Sequence, residues 1–160
     1  MLSKPEHGWT NFTLNDQFLG SFSYLTNLPI EWLDQAIHGL ETLHPFCVHG
    51  NCEPAKVICV VSHHSCFVFT AEDEPGFPSS VEEANLNAIS MDMLTFCREL
   101  HRDITENFDA WCRWRGCSDK ADNDRPCING MQQKLSSRLE RLAELIDEKN
   151  KFFSEGYVFW

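Results

Sequence analysis

The chain has 160 residues, 42 % of them apolar and 12 % aromatic, enough to bury one globular core and too apolar for a disordered polar chain. No apolar run approaches the ~20 residues that span a bilayer as a helix, and "MLSKPEHGWTNF" is too polar for a secretory leader, so a cytoplasmic setting with eight reduced cysteines is expected. The net charge of −11 is segregated: residues 1–97 hold 12 acidic side chains against only Lys4 and Lys56, while residues 98–160 hold 12 against 11, which excludes a phosphate-binding footprint in the first region because such affinity rests on Lys and Arg.

The first element is a hairpin. "GWTNFTL" (8–14) alternates, with Thr10, Phe12 and Leu14 on one face and Trp9, Asn11 and Thr13 on the other. "FLGSFSY" (18–24) puts Phe18, Phe22 and Tyr24 on one face, and Asn15-Asp16-Gln17 between the two runs is turn chemistry. A helix is predicted over 29–43. Asn27 caps it, Pro29 suits its first turn, Glu31 and Asp34 lie early, and Ile30, Leu33, Ile37 and Leu40 recur at helical spacing until Pro45 stops it.

"KVICVVS" (56–62) and "CFVFTAE" (66–72) predict a second hairpin around His63-His64, with "PFCVH" (45–49) as a further strand. Both faces are apolar: Ile58, Val60, Phe67 and Phe69 on one, Val57, Cys59, Val61, Cys66 and Val68 on the other. The pair should therefore be central and covered by helices on at least one face. "EDEPGFPSS" (72–80) is a loop, and 85–89 suits either an edge strand or a helix start. Ser90 can cap a long helix to about Arg115, striped by Met93, Cys97, Leu100, Ile104, Phe108 and Trp111. After a turn at 116–126, a last helix over 126–153 carries Ile128, Met131, Leu135, Leu139, Leu142, Ile146 and Phe153, and "YVFW" docks on the body.

The expected fold is a single α+β domain over 1–160: an antiparallel ββαββ sheet of 4–5 strands packed with helices (1–89), a long antiparallel two-helix hairpin (90–155) and a docking tail (156–160).

The chemical candidates are few. "HPFCVHGNCEPAKVICVVSHHSC" holds four cysteines and four histidines. A structural zinc needs four ligands around one point. A strand over 56–62 at ~3.3 Å per residue would hold His49/Cys52 about 20 Å from His63/Cys66. If 45–49 pairs with 56–60, a smaller grouping of His44, His63, His64 and Cys66 survives as a zinc candidate; against it stands the plainer reading of exposed turn histidines and core cysteines, with no cofactor. A cysteine-dependent enzyme would use Cys66 or Cys47, next to histidines, but an acidic surrounding raises a thiol pKa. "WCRWRGC" (111–117) sets Trp114 between two arginines, a composition typical of protein interfaces, unless the ring packs under the helix turn or against the tail. "DKADND" lacks the glycine and glutamate of a calcium loop, and no phosphate loop, nucleophile elbow or zinc-protease helix occurs.

The reading that fits size, charge and missing catalytic motifs is a non-catalytic acidic protein that binds a basic protein partner, in the manner of an immunity protein or a mobile-element inhibitor of a nuclease, with neither nucleic acid nor membrane as its direct partner. Glu72, Asp73, Glu74, Glu82, Glu83 and Trp114 are the expected contact residues. A zinc-binding domain on the histidine cluster and a cysteine enzyme are the alternatives.

Overall fold

The structure, a computed structural model, describes residues 1–71, 87–114 and 125–154. It is mixed α and β, with two antiparallel sheets rather than the single sheet expected from the sequence. The first sheet pairs β1 (Trp9–Leu14) with β2 (Gln17–Ser23). The chain start runs along β1, with a bridge between Leu2 and Phe12 and an N–H···O bond from Ser3 to Asn11. The second sheet has the order β3-β4-β5-β6, built from Phe46–Asn51, Lys56–Val61, Cys66–Ala71 and Asn87–Ile89. The ambiguous segment at 85–89 thus contributes a short edge strand.

The hairpin β1–β2 forms as its alternation predicts on one strand only. Thr10, Phe12 and Leu14 are buried. On the other strand the register slips between Phe12 and Thr13, so that Phe12 faces Gly20 while Thr13 faces Phe18. One extra residue on a bulged strand turns the side chains beyond it to the opposite face. Phe22 is therefore buried and Phe18 stands 61 % exposed, against the expectation that they share a face. Tyr24, past the strand end, is exposed as well.

Helix α1 (Leu28–Thr42) matches the predicted span, but its ends are made differently. The Asn27 side chain makes no cap bond; instead the Asn27 N–H reaches the Glu31 carboxylate at 3.3 Å. At the other end Leu43, with φ 54°, takes the left-handed position two residues before Pro45. The long helix expected from Ser90 is broken. Asp92, not Ser90, caps α2 (Met93–Glu106), accepting from the Thr95 N–H at 2.8 Å and the Thr95 hydroxyl at 2.7 Å. Asn107 leaves helical geometry, and its side-chain amide bonds the Asp103 carbonyl at 3.1 Å before α3 (Phe108–Cys112) begins.

Helix α4 (Arg125–Ser154) lies against α1 more extensively than against α2, so the expected two-helix hairpin is not the main helix contact. Arg138 binds Asp34 through two bonds of 2.7 and 3.0 Å, and Arg141 binds Glu41 at 2.8 Å. On α4, Leu135, Leu139, Leu142, Leu145 and Ile146 are buried.

One side chain touches several layers of the core at once. Trp32 is 1 % exposed and touches Phe12 edge-on at 5.1 Å, Phe22 at 5.8 Å and Phe96 at 6.1 Å between ring centres. Its Nε1–H donates to the His49 carbonyl at 2.8 Å, on the edge strand β3. One tryptophan thus connects the first sheet, the second sheet and α2. Close approach demands glycine at two nearby positions: a Cβ on Gly39 would lie 2.2 Å from the Phe46 ring, and one on Gly50 would lie 2.3 Å from Phe22.

Candidate interaction face

The second sheet has two faces of similar composition and different fates. Its register sets Phe46, Val61, Cys66 and Ile89 in one cross-strand row and Val48, Cys59 and Val68 in the next. All of these are buried. Phe46 meets Phe96 of α2 edge-on at 5.8 Å, so this is the face covered by helices. The opposite face carries the rows Cys47–Val60–Phe67–Ala88 and His49–Ile58–Phe69. Ile58, Val60, Phe67 and Phe69 are half-buried there, and Cys47, His49 and Ala88 are exposed. Lys56 shares this face one row further along, opposite Asn51. An antiparallel sheet whose outer face meets water normally alternates to polar residues. Here the two central strands present aliphatic and aromatic side chains instead.

The histidine and cysteine stretch resolves by the same register. The pairing of β3 with β4 brings His44 back toward the β4–β5 turn, as the sequence geometry requires. His63 and His64 sit exposed in that turn with ring centres 6.4 Å apart. The His63 Nε2–H donates to the Leu43 carbonyl at 2.7 Å, which ties the turn to the end of α1. His44 is exposed beside it in sequence. Cys66 does not join them. Its thiol faces the core, 0 % exposed, and donates to the Met91 carbonyl at 3.5 Å. Among the described residues, no three His, Cys, Asp or Glu side chains are grouped so as to hold a metal ion.

The thiols divide by face. Cys59 and Cys66 are diagonal neighbours on the buried face and share a hydrogen bond, which with burial pushes the Cys59 thiol far above the usual range. Burial pushes Cys97 up in the same way. Cys47 is exposed on the outer face, and its thiol is also raised by partial burial. None of these three shifts favours the thiolate that a nucleophile needs.

Trp114 stands against its expected place at an interface. It is 2 % exposed, its Nε1–H donates to the Thr26 carbonyl at 2.9 Å, and its ring lies 5.2 Å from that of Trp111. Trp114 follows Trp111 by three residues, so it falls on the same inward side, although the sequence reading places it off the core stripe. Next to it Cys112 is pushed up to about 11, chiefly by burial. Glu72, Asp73, Glu74, Glu82 and Glu83 lie outside the described residues, as do Cys117, the 119–124 turn and the 156–160 tail. The half-exposed apolar rows were present in the sequence as a second apolar face, but nothing in the residues marked that face as the one left half-exposed.

Among the described residues no helix is long and apolar enough to cross a membrane. Neither a family model, nor a curated protein, nor a solved structure matches this chain.

Proposed function

We propose that the chain is a non-catalytic binding protein that takes a basic protein partner and blocks its action, as an immunity protein or a nuclease inhibitor does. The observation that carries this reading is the charge segregation: 12 acidic side chains against 2 basic ones before Arg98. A surface of one sign attracts a partner of the other and speeds encounter, whereas anionic phosphate and anionic lipid are repelled. Arg138 and Arg141 are engaged within the fold with Asp34 and Glu41, so they help hold α4 to α1.

Copurification from the source cell, followed by titration of the purified copurifying protein, is the test. Affinity should fall as salt rises toward and past physiological strength. It should also drop at least about tenfold when Glu72, Asp73, Glu74, Glu82 and Glu83 are replaced together by Gln or Asn, since rim charges act mainly through the association rate. An affinity untouched by both changes sinks the reading.

A further inference from the structure

We draw no further inference here: the strongest candidate, the half-buried apolar patch of Ile58, Val60, Phe67 and Phe69 on the outer face of the four-stranded sheet, carries nothing, because nothing among the described residues shows what covers it.

Discussion

The two faces of the β3–β6 sheet carry nearly the same chemistry, and only one of them is inside. Val57, Cys59, Val61, Cys66 and Val68 are buried; Ile58, Val60, Phe67 and Phe69, one residue out of step with them, do not lie in the core. An apolar side chain does not bury itself. It is buried when another element has an apolar stripe to offer, and the stripes of α1 and α2 are spent on one face. Hydrophobicity therefore marks both faces as potential contacts, and topology decides which contact is internal.

Thiol chemistry should separate the faces most widely. Alkylation of Cys47 in the folded chain should exceed that of Cys59 and Cys66 by roughly a thousandfold or more, since the latter two react only after opening. Peptide mapping after a timed pulse reads this directly, and comparable labelling of all three would erase the distinction. Because the Cys47 thiol is raised, its labelling rate should keep climbing as pH passes through the usual thiol range, where a free cysteine levels off.

Truncation gives the next contrast. Phe46→Ala on the covered face should cost about 3–5 kcal/mol in denaturant unfolding, against about 1 kcal/mol for Phe67→Ala on the outer face. Similar losses would mean that the outer face is packed as tightly as the inner one. Gly50→Ala should cost about 1–3 kcal/mol, because the new methyl meets the Phe22 ring; an unchanged melting temperature would show that Phe22 can move aside.

The cap of α2 is a smaller and pH-dependent effect. Partial burial pushes the Asp92 carboxyl up, but hydrogen bonds from Thr95 and the backbone outweigh it and hold it below the usual carboxylate range. Its contribution is therefore present at neutral pH, above the unfolded pKa, and is lost as pH falls through the depressed folded value. Asp92→Ala should cost about 1 kcal/mol near neutrality, and the gap to wild type should close in acid. A gap that does not change with pH would place the effect elsewhere than the carboxylate. Smallest of all, Asp34→Ala should cost less than about 1 kcal/mol, since its pair with Arg138 is partly exposed and screened by salt.

Strand periodicity carried much of this fold. The alternation of "KVICVVS" and "CFVFTAE" placed Val57 to Val61 and Cys66 to Phe69 on their correct faces, because a period of two admits no other grouping once the strand is given. It failed at Phe18, where a bulge inserts one residue beside Gly20, a glycine inside the strand that signals such a break. In α1 the stripe through Ile30, Leu33, Ile37 and Leu40 missed the residue that matters most. Leu28, Trp32, Ala36 and Leu40 form a second row spaced by four and fully buried, and only the presence of two sheets makes that row necessary. The break at Asn107 was hidden for another reason: the apolar spacing continues across it, so Phe108 and Trp111 look like a continuation of α2. The candidate surface was legible as composition. Its exposure was not, since that depends on which elements remain to cover it.

The tie between Trp32 and the edge of β3 bears on cooperativity. Among the described residues the two sheets share no strand pairing, so neither extends the other's ladder. An indole that packs on Phe12 and Phe22 while donating to His49 makes opening of the first hairpin expose the rim of the second sheet. The two-stranded sheet, marginal alone, is in this way tied to the opening of the four-stranded one. Amide exchange in β1 and β3 should report one common opening free energy in the wild type and two separate ones after Trp32→Leu.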